Sequence, residues 1–151
     1  MSYYNKVVFV SSSDTCRGPM AAGIMRSMLV KKPLEIRSRG LVVLFPEPPN
    51  QKAVAIMKSN RLEIDGHVSI LLSEEDLAED CLVLVMEEQQ KQKILELHED
   101  ASNVYTLTEA VGEEGDIPDP YGGELKEYGA CYEKIYAIVE KFVEIINREE
   151  I

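Results

Sequence analysis

Residues 7–20 have the sequence VVFVSSSDTCRGPM, which constrains the fold more than any other stretch of the chain. Residues 7–10 are apolar and mostly β-branched, which predicts a buried strand. The polar residues 11–16 predict a loop, and Pro19 suits the first turn of a following helix. This arrangement is typical of phosphate-binding sites, because loop amides and the helix dipole both favour an anion. Arg17 adds a guanidinium group that can bind two phosphate oxygens at once.

The rest of the chain alternates short apolar runs with longer amphipathic segments. The runs predict strands at 6–10, 34–37, 81–86 and 104–106, and the amphipathic segments predict helices at 18–30, 50–59, 87–98 and 124–148. This alternation predicts an α/β fold of three layers, in which a doubly wound, four-stranded parallel sheet carries helices on both faces. Ligands bind at the carboxyl ends of the strands in such folds. The length of 151 residues and the absence of a linker indicate one domain, residues 1–151.

Composition and charge disfavour several classes of partner. The formal net charge of −11 argues against nucleic acid. No apolar run approaches the ~20 residues of a membrane span, and residues 1–20 lack a signal-peptide pattern, so we expect a cytoplasmic protein without a membrane partner. The cysteines, Cys16, Cys81 and Cys131, form no CxxC pair and have no histidine nearby. We therefore expect reduced thiols, no metal site and no cofactor.

The charge is distributed unevenly along the chain. Residues 1–61 contain 10 Lys and Arg against 3 Asp and Glu, whereas residues 62–151 contain 6 against 24. The predicted phosphate loop thus lies in the basic part, which would suit an anionic substrate. An ordinary solvated surface on an acidic protein explains the same counts equally well.

Three motifs resemble those of the low-molecular-weight protein tyrosine phosphatases. Residues 10–19, VSSSDTCRGP, are similar to the family pattern V-C-x-G-N-x-C-R-S-P after the first strand. Residues 38–40, SRG, resemble its S-x-G, and residues 119–121, DPY, resemble the Asp-Pro-Tyr or Asp-Pro-Phe element of its general acid. The resemblance covers nearly the whole chain and implies the strand order 2-1-3-4. It also implies a phosphatase that hydrolyses phosphotyrosine through a phospho-enzyme, without a cofactor.

The resemblance assigns roles to residues of this chain. It places Ser11 at the nucleophile position, Arg17 on the phosphate and Asp119 as general acid. The residues that it implies around the bound substrate are Ser12, Ser13, Asp14, Thr15, Cys16, Gly18 and Tyr121. It implies further that His67 supports the loop through Asp14, and that inorganic phosphate or sulfate binds there. The expected partner is a phosphorylated protein or a small phosphate ester.

Ser11 stands where the family has its cysteine, and this difference decides the expected activity. A hydroxyl is a far weaker acid than a thiol, so Ser11 is expected to bind phosphate but to hydrolyse esters very slowly or not at all. Two interpretations stay open: a phosphatase carrying a trapping Cys→Ser substitution, or a natural non-catalytic pseudophosphatase that binds phosphate or phosphoprotein. Ser13, Asp14 and Gly18 also differ from the pattern. Cys16 lies at the wrong point of the loop to replace the nucleophile.

The sequence leaves two further alternatives open. Thr15 matches a loop threonine of a bacterial branch of the family that removes phosphate from arginine, so phosphotyrosine and phosphoarginine are both candidate substrates. Residues 41–49, LVVLFPEPP, either wall the entrance of the site, as the resemblance implies, or pack down on the domain.

Overall fold

The computed structural model describes residues 4–149, in which four parallel strands form the central sheet. The strands are β1 (Lys6–Ser11), β2 (Glu35–Gly40), β3 (Cys81–Val85) and β4 (Val104–Thr106). Their spatial order is β2-β1-β3-β4, as expected. β1 lies in the middle, with Phe9 paired to Ser38 of β2 on one side and to Leu84 of β3 on the other. The first strand is therefore apolar on both faces because both faces are covered.

Helices cover the two faces of the sheet. They are α1 (Arg17–Arg26), α2 (Gln51–Ser59), α3 (Glu88–Leu97) and α4 (Leu125–Arg148), with short 3₁₀ turns at Glu74–Leu77 and Glu109–Val111. Val7 and Phe9 pack in one buried cluster with residues of α1, α2 and α4. Val8 and Val10 point the other way and pack with Ile94 of α3. The three-layer α/β architecture predicted from the alternation is confirmed.

The helix predicted at 18–30 extends four residues too far at its C-terminal end. It ends at Arg26 because the Ser27 hydroxyl donates to the Ile24 carbonyl (2.6 Å) and competes with further helical hydrogen bonds. Beyond it, Asn147 of α4 donates to the Leu29 carbonyl (2.8 Å) and accepts from the Lys31 amide (2.9 Å). A tertiary contact with α4 therefore holds this segment in a non-helical path.

Two other predictions need correction. The strand predicted at 34–37 continues to Gly40, because β2 stays paired with β1 up to the pair Ser11 and Gly40. The apolar spacing of residues 87–98 predicts that Leu97 faces inward, but this side chain is 68% exposed, since α3 ends at this residue. Among residues 4–149, no helix is long and apolar enough to cross a membrane.

Candidate active site

A cavity at the carboxyl edge of the sheet brings together residues that are far apart in sequence. Its lining consists of Ser11, Ser12, Ser13, Thr15, Cys16, Arg17, Asn50, Asp119, Tyr121 and Tyr128. Of the ten residues that the resemblance assigned to the site, eight line the cavity. The other two, Asp14 and Gly18, lie next to the lining: Gly18 donates to Ser11, and the Asp14 main chain belongs to the loop itself.

The β1–α1 loop is held from outside by the segment that follows β2. The amides of Leu41 and Val42 donate to the carbonyls of Ser11 (3.0 Å) and Ser12 (2.9 Å), and the Asn50 amide donates to the Thr15 carbonyl (2.8 Å). In a trans peptide the N–H points opposite to the C=O. The amides that follow these three carbonyls therefore point away from the outer segment, toward the cavity. An array of this kind favours an anion.

The outer segment also answers the alternative left open for residues 41–49. Its first residues, Leu41 and Val42, hydrogen-bond to the back of the loop, but no residue of 41–49 is among those that line the cavity. Its side chains do not all pack down, because Leu44 and Phe45 are among the exposed large hydrophobic residues. The expectation that the apolar run 41–45 as a whole packs on the domain is therefore wrong.

Ser11 is the last residue of β1, and its side chain lies next to the first turn of helix α1. Its hydroxyl is buried and accepts a hydrogen bond from the Gly18 amide at 3.3 Å. A Cβ atom on Gly18 would lie 3.0 Å from Ser11 Oγ, so glycine allows the first helical turn to approach the hydroxyl closely. The start of α1 thus directs an N–H group at the Ser11 oxygen, in a direction that would stabilise negative charge there.

Arg17 crosses the base of the cavity with its side chain 1% exposed. Its Nη2 donates to Ser12 Oγ (2.8 Å), and its Nη1 donates to the Ile117 carbonyl (2.7 Å) and pairs with Glu87. Nη2 also lies 3.6 Å from Asp119 Oδ2. The guanidinium is therefore fixed on both sides, and its buried charge is compensated by two carboxylates.

Asp119 faces Arg17 from the loop before α4. Its Oδ1 accepts from the Tyr121 amide (3.1 Å), a side-chain turn that orients the carboxyl group, and Pro120 stiffens the same turn. The carboxyl group remains partly exposed, so it can reach a ligand in the cavity and exchange protons with solvent. Tyr121 is 83% exposed and forms the rim.

Asp14 and His67 support the loop from below. Asp14 takes a left-handed backbone conformation (φ 59°), which aspartate tolerates better than most residues. His67 Nε2 lies 2.6 Å from the Asp14 carbonyl oxygen, and because a carbonyl only accepts, this nitrogen must carry the proton. Asp14 Oδ2 accepts from the Ile70 amide (3.0 Å). Burial raises the pKa of the Asp14 carboxyl above its usual value, although the Ile70 hydrogen bond and the His67 charge oppose the shift.

Cys16 is a poor nucleophile in this environment. Its hydrogen bond with Cys131 of α4, together with burial, raises the pKa of the Cys16 thiol far above the usual value for cysteine. The reactive form of cysteine is the thiolate. Cys16 is therefore held protonated, which agrees with its unfavourable place in the loop.

The sequence analysis missed three residues that lie in or next to the cavity. Asn50 and Tyr128 line the cavity, and the side-chain Nδ2 of Asn50 donates to the Tyr128 hydroxyl (3.3 Å). Glu87 binds Arg17 from the start of α3. Only Glu87 had a usable signal, since it follows the third strand at the edge where ligands bind. The sequence around Asn50 predicts a helix cap, and the apolar spacing of residues 124–148 predicts a core position for Tyr128; the structure shows both of these roles in addition to the contact with the cavity.

Comparisons with known proteins agree with this geometry. Residues 6–151 match the family described as low molecular weight phosphotyrosine protein phosphatase. The chain is 33% identical over 136 residues to the low molecular weight protein-tyrosine-phosphatase PtpB of Staphylococcus haemolyticus, covering 90% of this chain and 96% of that protein. It is 28% identical over 147 residues to the protein-arginine-phosphatase of Geobacillus stearothermophilus, covering 96% and 98%.

Two solved structures are similar over nearly the whole chain. A cysteine-to-serine mutant of the YwlE arginine phosphatase, with a phosphorylated active-site serine, superimposes with a TM-score of 0.88 at 28% identity and covers 96% of this chain and 97% of its own. A low molecular weight protein tyrosine phosphatase from T. tengcongensis gives a TM-score of 0.86 at 34% identity, covering 93% and 98%. The chain therefore belongs to the low molecular weight protein tyrosine phosphatase family, in which bacterial arginine phosphatases are also found.

Proposed function

We propose that this chain binds a phosphorylated side chain of a protein, phosphotyrosine or phosphoarginine, in the cavity around Ser11. As written, with serine at the nucleophile position, it releases phosphate very slowly or not at all. The observation that carries the proposal is the hydrogen bond from the Gly18 amide to Ser11 Oγ. It supports the proposal because the first turn of α1 directs its N–H at a hydroxyl oxygen, which is a far weaker acid than a thiol.

The chemistry of the two halves of the reaction explains why phosphate would be held rather than released. In the first half, the nucleophile forms a bond to phosphorus while the bond to the leaving group breaks, and Asp119 protonates the leaving atom. In the second half, water attacks phosphorus and the nucleophile leaves. A thiolate suits both halves, whereas serine must lose a far less acidic proton and then depart as a poor leaving group. The Gly18 amide only donates, so it cannot take the Ser11 proton.

A second candidate function is phosphoryl capture, in which the first half-reaction proceeds and the second stops. The phosphorylated serine in the mutant arginine phosphatase of similar fold favours this candidate. Here the Ser11 Oγ–P bond would form and the P–N bond of phosphoarginine would break. Asp119 would give a proton to the departing nitrogen, and the hydroxyl proton would pass to solvent. The product would be a phosphoserine that persists.

Thr15 is the residue on which the choice of substrate depends most directly. It lines the cavity, and its hydroxyl shares a hydrogen bond with Ser13 (2.8 Å). A polar loop side chain at this point can accept from the guanidino N–H groups of phosphoarginine, which a phenyl ring does not offer. Phosphoarginine is therefore the first substrate to test, and phosphotyrosine is the second.

The central prediction concerns Ser11→Cys. The chain as written should release no measurable phosphate from an aryl phosphate or from phosphoarginine, and Ser11→Cys should restore turnover because a thiolate now lies at the helix N-terminus. Colorimetric phosphate release measures both. Ser12→Cys is the matched control: it places a thiol one residue further along the loop and should stay inactive. Robust activity of the Ser11 protein would refute the proposed lack of turnover.

Two companion measurements separate the candidates. In the Ser11→Cys background, Asp119→Asn should lower turnover by about two to four orders of magnitude while inorganic phosphate still binds. For the chain as written, intact mass after incubation with phosphoarginine distinguishes binding from capture. A gain of one phosphoryl group that is absent in Ser11→Ala means capture, and an unchanged mass with saturable phosphate binding by calorimetry means binding alone. Failure to bind phosphate would reject both.

A further inference from the structure

Two thiols lie together beneath the floor of the cavity. Cys16 belongs to the phosphate loop and Cys131 to the second turn of α4, and each is 8% exposed. The two side chains share a hydrogen bond, and Cys131 Sγ also lies 4.0 Å from the carbonyl oxygen of Pro118, the residue before Asp119. Neither cysteine is part of a disulfide. Because Cys16 lines the cavity, a small solute that enters the site reaches Cys16, the hydrogen-bond partner of Cys131.

We propose that Cys16 and Cys131 form a reversible disulfide when the protein meets hydrogen peroxide, and that this bond weakens anion binding in the phosphate loop. Sulfur atoms in hydrogen-bond contact need to move only a short way to the bond length of about 2.0 Å. The proposal concerns a partner on α4, separated from Cys16 by more than a hundred residues of sequence. The bond would therefore join the loop to the last helix of the fold.

The surroundings of the pair indicate which sulfur reacts first. The hydrogen bond from Cys16 and the positive charges of Arg17 and Lys134 lower the pKa of Cys131, although burial and Asp119 oppose the shift. Cys131 is thus the more readily ionised thiol, and Cys16 is its hydrogen-bond donor. A thiolate next to a protonated thiol is the arrangement that peroxide oxidation requires.

The reaction balances without any further reactant. The Cys131 thiolate attacks one oxygen of hydrogen peroxide, so that an S–O bond forms, the O–O bond breaks and hydroxide leaves. The Cys16 sulfur then attacks the sulfur of the resulting sulfenic acid. The S–S bond forms, the S–O bond breaks, and the departing hydroxide takes up the Cys16 proton. The first hydroxide takes up the proton that Cys131 released on ionising, so two thiols are oxidised and one peroxide is reduced to two waters.

The expected effect on the site follows from the position of Cys16. It directly precedes α1, and its amide is one of those that point into the cavity. Drawing its side chain toward α4 turns this amide away from a bound anion and shifts Pro118 beside Asp119. The loss of one charge-assisted hydrogen bond corresponds to about tenfold weaker anion binding. This weakening of anion binding rests on the proposed function, whereas the formation of the disulfide does not.

Peptide mapping tests the disulfide. The reduced protein is treated with a small excess of hydrogen peroxide, blocked with N-ethylmaleimide and digested with trypsin without reduction. Cleavage at lysine and arginine leaves the three cysteines in separate peptides, 7–17, 62–91 and 127–134. We expect peptide 7–17 linked to peptide 127–134, and N-ethylmaleimide only on peptide 62–91. Dithiothreitol should reverse the link. Cys16→Ser and Cys131→Ser should abolish it, and Cys81→Ser should keep it.

Several results would overturn the proposal. Links to peptide 62–91, intermolecular dimers, sulfinic acid on single cysteines, or three blocked cysteines would each refute the Cys16–Cys131 disulfide. A calorimetric titration with inorganic phosphate tests the second effect on reduced and oxidised protein. A linked protein with unchanged phosphate affinity would refute the effect on the site but leave the proposed function intact. A reduced protein that fails to bind phosphate would refute the proposed function, while the peptide map would still decide on the disulfide.

Discussion

Arg17 is the residue that supplies positive charge to the cavity, and two carboxylates share it before any ligand arrives. Glu87 pairs with Nη1, and Asp119 Oδ2 lies 3.6 Å from Nη2. A phosphate dianion must therefore bind an arginine whose charge is already more than balanced. Asp119 can relieve this repulsion by taking up the proton that a general acid needs, but Glu87 has no such role. The negative charge of Glu87 therefore opposes the binding of an anion in the cavity.

We predict that Glu87→Gln strengthens inorganic phosphate binding by roughly tenfold, because it removes one negative charge near the anion in a partly buried site. Glutamine keeps the shape and an oxygen that can accept from Arg17, so the arginine should stay in place. Isothermal calorimetry at low salt measures the change. Glu88→Gln is the matched control, since Glu88 pairs with Gln92 on the exposed side of α3. Equal or weaker binding in Glu87→Gln would mean that Glu87 mainly orients Arg17.

Asp14 gives a prediction with a defined pH dependence. Its carboxyl group is fully buried, and its pKa in the folded protein is raised by burial above the unfolded value of about 3.9. At low pH both states hold the proton and nothing is lost. As the pH rises from the unfolded pKa to the higher folded pKa, the folded state retains the proton longer than the unfolded state does. Ionisation of Asp14 therefore reduces the free energy of unfolding over this pH range, and the reduction persists at neutral pH.

Asp14→Asn, which cannot ionise, should therefore be more stable than the parent at neutral pH, with an advantage that shrinks toward about pH 4. The side-chain oxygen that asparagine retains can still accept from the Ile70 amide. Urea unfolding at a series of pH values measures the difference. Asp65→Asn serves as the control, because Asp65 is an exposed carboxylate paired with Lys58 (2.9 Å) and should show no such gain. A pH-independent difference for Asp14→Asn would contradict the argument.

Residues of the site could be predicted from sequence where a local pattern carries them. Ser11 and Arg17 follow a strand and open a helix, and Asp119 lies in a turn sequence with proline. Glu87, Asn50 and Tyr128 reach the site through contacts between distant segments, such as the pairing of Arg17 with Glu87 across 70 positions. No local periodicity reports on those contacts, so they became visible only in the assembled fold.

At the scale of elements, the start of α2 ties the phosphate loop to the last helix. Asn50 caps α2, its Oδ1 accepting from the Lys52 (2.9 Å) and Ala53 (3.2 Å) amides, while its own amide N–H binds the Thr15 carbonyl. Its side-chain nitrogen donates to Tyr128 of α4. Asn50 thus caps α2 with its side chain and also lines the cavity.

Two substitutions at Asn50 separate these roles. Asn50→Ala removes the cap and should lower the free energy of unfolding by about 1 kcal/mol, measured by urea denaturation. Asn50→Asp keeps a capping oxygen and should preserve most of the stability, but it adds a negative charge to the cavity wall and should weaken phosphate binding by roughly tenfold. If both variants lose stability alike, the hydrogen bond to Tyr128, rather than the cap, is what matters.

Element boundaries were harder to predict than the elements themselves. The cap at Asn50 was predictable because capping chemistry is local, and helix α2 follows it as expected. The end of α1 was not, because apolar residues continue at helical spacing to Met28 while Ser27 and Asn147 divert the backbone. The strand order had no local signal either, and its prediction came from the family resemblance.

For the whole molecule, the uneven charge along the sequence is partly neutralised by ion pairs in the fold. Basic residues of the first part pair with acidic residues of the second: Lys6 with Asp80 (3.2 Å), and both Arg37 (3.0 Å) and Arg39 (3.1 Å) with Asp76. Arg17 pairs with Glu87 in the same way. These pairs reduce the positive charge that the basic part can present to an anionic substrate. The long-range field of the protein is set instead by its net charge of −11.

This field predicts a preference for the residues that flank the phosphorylated side chain. A phosphopeptide with lysines on both sides should bind more tightly at low salt than one with glutamates, because the protein is acidic and the segment that carries Asp119 also carries Asp116 and Glu124. The difference should shrink toward zero at about 0.5 M salt, where screening acts within a few ångströms. Fluorescence anisotropy with two peptides of equal length, differing only at the flanks, measures it. Unphosphorylated peptides of both kinds control for binding that does not use the cavity. Equal affinities at low salt, or a preference for glutamate, would contradict the prediction. Either result would mean that an uncompensated basic surface lies near the entrance of the cavity. The pairing of charges between the two parts of the chain would then not govern recognition.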